Sequence, residues 1–420
     1  MRSILLVLAL GACVGEPELV IEPELSTQPS EVSSLTREHV RGDVYRYRYV
    51  LRVGDGPNAE LAIHRLVRER APWIPRHTTG ALMLMHGDFS TFRTNFNPAG
   101  GGLAAWLAER DIDVWGFDRR WTRAPFGDDA DVSDFDAMGI DQEIDDVGIA
   151  LGFARGVRLL GGSTARITLS GFSRGGQIAY YYASRDATRP APLRHVKGLV
   201  ALDVYTSLAP EDEDIRLYFC ELAALEYSWL ADGMVDGPNT FFIDTGTRAL
   251  AAPNEPSQFP GFKPTNRDML LWLAGQTYES FAAQPAYHLA GASFDETGWP
   301  TGLNWSSEAV IAQWFIDAAP HQAIREQADS DAITCGDAPP VDVPLSRIRV
   351  PVLSLAVAGG YGERAAYSAT QTGSTDVTTL LVRRLPVGEE LEDYGHGDLL
   401  FAPDAPAHAW EPLLAWLRAH

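Results

Sequence analysis

The segment ARITLSGFSRGGQIAYYYA, residues 165–183, constrains the fold of this chain more than any other stretch. An apolar run leads into Gly171-Phe-Ser173-Arg-Gly175-Gly176, and a helix-forming segment follows. Small residues here let the backbone turn tightly from a buried strand into a helix, with one serine held at the turn. The pattern predicts a strand, a turn and a helix, and makes Ser173 a candidate nucleophile. The alternative is a surface turn in which Ser173 has no chemical role.

Strand and helix patterns alternate around this segment. Residues 80–87, 111–120 and 196–203 are apolar runs typical of strands buried on both faces. Residues 139–157 place apolar side chains at helical spacing, and alternation resumes from 345 to a final helix at the end of the chain. This order predicts an α/β fold with a mostly parallel sheet and helices on both faces.

A long block interrupts the alternation. Residues 206–344 are rich in Trp, Tyr, Phe, Pro and acidic residues, and they contain helical patches without the strand–helix rhythm. The block is too long for a plain loop, so it predicts a large, mainly helical lid inserted between core segments 43–205 and 345–420. Its aromatic residues suggest an apolar pocket or simply the lid's own core: Tyr218, Phe219, Tyr227, Trp229, Trp272, Trp305, Trp314 and Phe315.

The N-terminus has the features of a targeting segment. MRSILLVLALGAC contains an apolar run too short to span a bilayer, and small residues precede Cys13. We expect residues 1–12 to be a signal peptide and Cys13 to carry a lipid anchor, although an ordinary secretory signal would leave Cys13 without a role. Residues 13–42 are rich in Glu, Pro, Ser and Thr, which predicts a disordered tether. The protein would then be exported and held at the bacterial cell envelope through Cys13 alone, or be periplasmic or secreted.

Charge and the remaining cysteines narrow the possible partners. The formal net charge is −22 and no cluster of Lys and Arg is present, which argues against nucleic acid and mildly favours neutral substrates. In an exported protein, Cys220 and Cys335 suggest one disulfide, and two buried thiols are the alternative.

Two further segments supply groups that an activated serine needs. His396 lies in EDYGHGDLLFAP between the last strand and the last helix, where flanking glycines suit an exposed loop tip and a general base. MHGDF ends an earlier strand, and we expect the backbone N–H groups of Asp88 and Arg174 to form an oxyanion hole, with Phe89 as the substitute for Asp88.

These motifs resemble the α/β-hydrolase superfamily, and more narrowly its acid-lipase and esterase branch. The resemblance rests on MHGDF, DIDVWGFDRRWTRAP, SGFSRGG and YGHGDLLFAPDAP, and it covers about residues 43–205 and 345–420. It implies the α/β-hydrolase fold and a catalytic Ser–His pair.

The position of the triad acid departs from that family. The acid usually follows the next-to-last strand, where this chain reads AVAGGYGERAAYSA without an Asp. Glu363 is the nearest carboxylate and ranks first. Asp203, at the end of the strand after the serine turn, is the second candidate, because some lipases place their acid there; otherwise it is a helix cap or loop anchor.

The sequence as a whole predicts an exported serine hydrolase that cleaves carboxylic esters through an acyl-enzyme on Ser173, with His396 as general base. The expected substrate is a small, neutral or apolar ester. No cofactor or metal is expected, because no His, Cys and Asp cluster has ligand spacing. A peptidase or amidase on the same fold remains an alternative, as does a non-catalytic, surface-anchored binding protein with a degraded triad.

Overall fold

The computed structural model describes residues 31–98, 101–127, 129–279, 286–337 and 339–420. The predicted signal peptide, Cys13 and the first part of the predicted tether lie outside these residues. Within the described ranges, no helix has both the length and the apolar character needed to cross a membrane.

One large sheet organises the molecule. The strands in chain order are β1 (Glu31–Arg41), β2 (Val44–Arg52), β3 (Glu60–Ala71), β4 (Ile74–Pro75), β5 (Gly80–Met85), β6 (Ile112–Asp118), β7 (Ile167–Phe172), β8 (Val196–Leu202), β9 (Ala292–Phe294), β10 (Pro300–Leu303), β11 (Val352–Val357) and β12 (Val377–Val382). The sheet runs β1-β2-β3-β6-β5-β7-β8-β11-β12, with β4 paired to β3, and β9 and β10 form a separate hairpin.

Helices fill the connections between these strands. They are α1 (Phe92–Phe96), α2 (Leu103–Ala108), α3 (Ile140–Leu160), α4 (Arg174–Asp186), α5 (Glu213–Ala231), α6 (Thr240–Ala251), α7 (Asn266–Gly275), α8 (Glu308–Ile316), α9 (Ile324–Cys335), α10 (Arg364–Thr370), α11 (Asp398–Phe401) and α12 (Glu411–Ala419). The predicted strand, turn and helix around Ser173 are therefore β7, a one-residue turn and α4.

The sheet is parallel where the functional residues lie. From β6 through β5, β7, β8 and β11 to β12 all neighbours are parallel, and β1, β2 and β3 add an antiparallel edge next to β6. Strands β6, β7 and β11 are buried along their whole length, as continuous apolar runs predict. The expected α/β architecture is confirmed.

Alternate side chains of each central strand serve two hydrophobic layers. Leu82 and Leu84 of β5 pack in the layer that includes α2 and α12, whereas Met83 and Met85 point to the opposite layer with α3 and α4. Successive residues of a strand face opposite sides, so both layers have to be filled by helices. The carboxyl ends of the parallel strands consequently meet at one edge of a rigid, fully packed body.

The predicted tether extends too far into the folded protein. Residues 31–41 form β1, which pairs with β2 from Glu31↔Arg52 to Arg41↔Val44. Most β1 side chains are exposed or half-buried, including Val32 and Leu35, so no apolar alternation marks the strand. Backbone hydrogen bonds to β2 and ion pairs such as Arg37 to Glu69 hold it instead.

The block between β8 and β11 is mainly helical, as expected. It contains α5 to α9 and the β9–β10 hairpin. Cys220 on α5 and Cys335 at the end of α9 are joined by a disulfide, so the two thiols are not free. The bond joins α5 and α9, the first and the last helix of this lid in chain order.

Candidate active site

The turn between β7 and α4 holds Ser173 in a backbone conformation that few residues adopt. Its φ is 56° and its ψ is −133°. Such a position costs energy and is kept only where the surroundings enforce it. They do so here because a Cβ on Gly171 would lie 2.1 Å from the carbonyl oxygen of Gly175, and one on Gly175 would lie 2.4 Å from that of His86. The glycines are therefore required by close backbone contact.

The loop after β5 lies directly against this serine. A Cβ on Gly87 would come within 3.0 Å of the Ser173 Cβ, and the Gly87 N–H donates to Asn95 Oδ1 at 2.8 Å. The next residues are the predicted oxyanion donors. The Phe89 N–H already donates to Gln322 Oε1 at 2.9 Å, which leaves the Asp88 N–H as the better candidate.

The second expected oxyanion donor has a favourable position in its helix. Arg174 is the first residue of α4, so its N–H has no acceptor within the helix. The same helix end directs its dipole and free amides toward the space beside Ser173, where they can stabilise negative charge.

A histidine and a carboxylate meet beside this turn. His396 Nδ1 lies 2.6 Å from Asp203 Oδ2, and both side chains are buried, with exposures of 3% and 0%. His396 stacks on Phe172 with ring centroids 4.2 Å apart, and Tyr287 and Tyr361 contact its other sides. The ring is thus held in one orientation, and Nδ1 is the nitrogen that faces the carboxylate.

Asp203 takes the position that the sequence assigned first to Glu363. The Glu363 side chain is 81% exposed and pairs with Arg383, so ranking it first was wrong and the second candidate has the contact. Asp203 Oδ1 accepts hydrogen bonds from the N–H groups of Val357 and Tyr361. A Cβ on Gly360 would lie 2.0 Å from Asp203 Oδ2, so the glycine after β11 leaves the space that this carboxylate fills.

His396 lies in a buried loop, not at the exposed tip that its glycines suggested. Its residue exposure is 2%, and its N–H donates to the carbonyl of His288 in the lid. Gly395 is needed because a Cβ there would lie 2.7 Å from Ala290 N. Asp398, two residues further on, has a structural role: its two oxygens accept hydrogen bonds from the N–H groups of Gly291, Gly395 and Ser306 and from the Ser306 hydroxyl.

A cavity of about 500 Å³ lies over Ser173 and His396 and is bordered by residues of the lid. One side is apolar and is lined by Phe89, Phe241, Phe242, Trp272, Leu273, Leu289 and Trp314. Of the aromatic residues singled out in the sequence, Tyr218, Phe219, Trp229, Trp272 and Trp314 line the cavity. The others serve the structure, as Tyr227 does by donating its hydroxyl to Asp329.

Another part of the cavity lining is polar, and it was not predicted from the sequence. The Arg174 guanidinium lies 2.8 Å from Asp331 and 3.4 Å from Asp88. Glu226 lies nearby on α5. Burial, together with the neighbouring Asp331 carboxylate, raises the pKa of Glu226 to about 9. That residue is therefore a neutral acid at neutral pH.

Other titratable groups near the site have structural partners. His86 is buried beneath the turn, where its Nδ1 contacts the Gly87 carbonyl, and burial beside Arg119 lowers its pKa to about 3. It is neutral in the working pH range, and its contacts give it a structural role. Among the described residues, Cys220, Cys335 and Asp337 lie at metal-like spacing, but both sulfurs are in the disulfide.

No protein-family model matches the sequence, and no curated protein matches it. Solved structures do match. A proposed lipase from Sulfolobus solfataricus is 17% identical and superposes with a TM-score of 0.60, covering 92% of this chain and 99% of its own. The chain has the α/β-hydrolase fold. An esterase from Thermogutta terrifontis (16% identity, TM-score 0.43, 89% and 98% covered) and a bacterial membrane phospholipase A (15%, 0.43, 89% and 87%) are more distant and carry no further weight.

Within this α/β-hydrolase fold, the three side chains of interest come from the ends of separate elements. Ser173 follows β7, Asp203 follows β8, and His396 precedes α11. Asp203 and Phe89 share the unusual backbone of Ser173, with φ values of 46° and 43°. Of the six non-glycine residues with positive φ in the described part of the chain, these three line the cavity or contact its histidine.

Proposed function

We propose that this protein is a serine hydrolase that cleaves carboxylic esters, with Ser173 as nucleophile, His396 as general base and Asp203 as the acid that orients it. The observation that carries the proposal is the 2.6 Å contact between His396 Nδ1 and the buried Asp203, in a cavity that also contains the strained Ser173. A serine, a histidine and an orienting carboxylate in one pocket are the parts that acyl transfer requires.

In the first step, the Ser173 hydroxyl attacks the ester carbonyl while His396 Nε2 accepts its proton. Asp203 accepts a hydrogen bond from Nδ1, so it selects the tautomer with a free Nε2 and stabilises the imidazolium that forms. Negative charge develops on the former carbonyl oxygen. The N–H groups of Asp88 and Arg174 are placed to bind that oxygen.

The intermediate then collapses. The bond to the alcohol breaks, His396 returns its proton to the leaving oxygen, and an acyl-enzyme remains on Ser173. A water molecule, deprotonated by the same histidine, then attacks the acyl carbon. The bond between the acyl carbon and the Ser173 oxygen breaks, His396 returns the proton to that oxygen, and the carboxylic acid leaves. The apolar side of the cavity supports an apolar acyl chain as the bound group, because burying it removes apolar surface from water.

The same proposal includes export and attachment by a lipid on Cys13. The disulfide between Cys220 and Cys335 supports an oxidising compartment, where such bonds persist. The apolar run before Cys13 supports a cleaved signal. Mass spectrometry of the mature N-terminus from a bacterial host tests this part, and an unmodified Met1 would contradict it.

The experiment that tests the reaction is turnover of p-nitrophenyl esters of increasing chain length. We expect hydrolysis by the wild type, and a loss of at least about a thousandfold in kcat for Ser173→Ala and His396→Ala. Ser163→Ala in the exposed connection between α3 and β7 is the matched control and should keep full activity. Equal turnover by Ser173→Ala and wild type would contradict the proposal.

A further inference from the structure

One buried carboxyl group in the cavity has an oxygen without a hydrogen-bond partner in the described part of the chain. Glu226 lies on α5 with an exposure of 4%, and its Oε2 has no hydrogen-bond partner within the described part of the chain. It lines the cavity that contains Ser173. A buried polar atom without a partner is costly, so its presence calls for a group that the protein itself does not supply.

The charges around Glu226 indicate whether the missing ligand group is a cation or an anion. Asp88 and Asp331 line the cavity near Glu226. The Arg174 guanidinium lines it too and forms ion pairs with both carboxylates. Two carboxylates thus outweigh one cation and leave an excess of one negative charge before Glu226 is counted. A further anion would be repelled, whereas a cation would relieve the excess of negative charge.

Aromatic rings are placed on the same helix. Tyr218, Phe219 and Trp229 belong to α5 and line the cavity together with Glu226. The faces of aromatic rings attract organic cations, most strongly where water is excluded. A carboxyl group with an oxygen that lacks a partner and several rings on one helix are the two components that bind an alkylammonium group.

We propose that Glu226 and the aromatic residues of α5 form a subsite that selects substrates carrying an alkylammonium group. This inference rests on the proposed ester hydrolysis for its role in catalysis, since the subsite would hold the cationic part of an ester whose carbonyl lies at Ser173. Glu226 is a specificity residue in this arrangement and takes no part in bond making.

Binding of the cation should change the protonation state of Glu226. Burial, with Asp331 and Asp88 as further causes and Arg174 opposing them, raises the pKa of Glu226, so the empty subsite holds a neutral acid. The groups that face it are Asp331 on α9, Arg174 on α4, Asp88 after β5, and Tyr218 and Tyr227 on its own helix. An alkylammonium group favours the carboxylate, and its binding near neutral pH should release one proton from Glu226 to the buffer.

The kinetic test uses two esters of the same shape and different charge. They are the butyrates of 2-(trimethylammonio)ethanol and of 3,3-dimethylbutanol, and the readout is the ratio of their kcat/KM values. We expect the full-length wild type to prefer the cationic ester, and Glu226→Gln to lower the ratio by about tenfold or more. Glu226→Asp keeps the charge and should retain part of the preference. Glu221→Gln makes the same change on the exposed side of α5 and should leave the ratio unchanged.

A binding test does not depend on catalysis. The two alcohols alone are titrated into wild type, Glu226→Gln and Glu221→Gln, with dissociation constants measured by ligand-observed NMR. We expect 2-(trimethylammonio)ethanol to bind the wild type and Glu221→Gln more tightly than 3,3-dimethylbutanol, and to lose that advantage in Glu226→Gln.

The two tests separate the two proposals. Cation binding that depends on Glu226, without hydrolysis of either ester, would uphold the subsite and overturn the proposed function. Hydrolysis of both esters at a ratio that Glu226→Gln does not change, or equal binding of both alcohols to the wild type, would overturn the subsite and leave the proposed function standing.

Discussion

The two sides of the cavity are built in different ways. The sheet side consists of residues at strand ends, and Ser173, the Asp203 carboxylate and the His396 loop lie there in close contact with glycines that leave no room for a Cβ. The lid side consists of side chains on helices, many of them half-buried, such as Phe241 and Trp229. Geometry on the first side is fixed by covalent and steric constraints. On the second it depends on packing, which tolerates substitution better.

This difference predicts how each side responds to change. Small alterations on the sheet side should abolish chemistry while binding survives, because the reacting atoms must be held within tenths of an ångström. Alterations on the lid side should shift substrate choice and affinity with modest effects on the chemical step. The following predictions run from the largest expected effect to the smallest.

The largest expected effect comes from replacing the carboxylate that contacts His396, and it distinguishes Asp203 from Glu363. Asp203→Asn should reduce kcat by about 10⁴-fold, because an amide favours the wrong tautomer of His396. Glu363→Gln removes an exposed group that pairs with Arg383 and should keep activity within about twofold. Steady-state kinetics with one p-nitrophenyl ester decides the matter, and the reverse ranking would show that the contact seen here is not the working one.

Filling the space beside Asp203 tests the sheet side without touching a functional group. A Cβ at Gly360 would lie 2.0 Å from Asp203 Oδ2, so Gly360→Ala should displace the carboxylate and reduce kcat by about a hundredfold. Gly156→Ala is the control, because a Cβ there meets nothing within 4 Å. The control should keep its activity and gain about 0.5–1 kcal/mol in stability. Full activity of Gly360→Ala would remove the steric explanation for the position of the acid.

Removing the disulfide tests how far the lid depends on a covalent link. The Cys220→Ser and Cys335→Ser double variant should lose about 2–4 kcal/mol in free energy of unfolding, since the bond closes a long loop between α5 and α9. Denaturant unfolding of the variant and of the wild type gives the difference. If the loss of stability is confined to the lid, kcat should stay nearly unchanged. A free energy of unfolding equal to that of the wild type would mean that packing alone holds α5 and α9 together.

Trimming an apolar lid residue should affect binding more than chemistry. Phe241 lines the cavity on α6, and Phe241→Ala should raise KM for long acyl chains by about three- to tenfold with kcat within about threefold. Leu250→Ala alters an exposed residue on the same helix and serves as the control. A chain-length series measures both constants. If kcat fell instead while KM stayed constant, the lid would have to take part in positioning the reacting groups.

The last prediction concerns stability as a function of pH. Glu226 has a pKa raised from 4.5 to about 9 in the folded protein, so above about pH 5 the unfolded chain releases a proton that the folded protein retains. Wild-type stability therefore falls as pH rises toward 9, and Glu226→Gln removes this loss. The Tm of the variant should exceed that of the wild type by a margin that grows from pH 5 to pH 9. Glu221→Gln should show no such trend, and a constant margin would mean that Glu226 is ionised in the fold.

The sequence predicted the sheet side better than the lid side for a physical reason. Apolar runs and the Gly171, Gly175 and Gly176 spacing are local signals, and local sterics determine the turn at Ser173. The acid was misassigned because Asp203 and His396 are 193 residues apart. The parallel pairing of β8 with β11 and the bridge between Gly359 and Gly395 bring them together. The signal that could have revealed it is Gly360, since a missing side chain after β11 leaves room for a carboxylate from the neighbouring strand.

Two other features escaped the sequence for related reasons. Strand β1 is an edge strand with polar or exposed side chains on both sides, so no apolar period distinguishes it from a tether. The group formed by Asp88, Arg174, Glu226 and Asp331 gathers residues from separate elements, and each carboxylate taken alone looks like an ordinary surface residue. These residues come together through the packing of the lid helices, and no short sequence pattern predicts that packing.

The most direct test of the central claim, that Ser173 is an activated nucleophile, is treatment of the folded full-length protein with a fluorophosphonate, followed by peptide mass spectrometry. We predict a single adduct on Ser173 that is absent from Ser173→Ala and from protein unfolded before treatment. Its rate of formation should fall in Asp203→Asn and stay unchanged in Glu363→Gln. Folded protein without an adduct, or with one on another serine, would contradict the account.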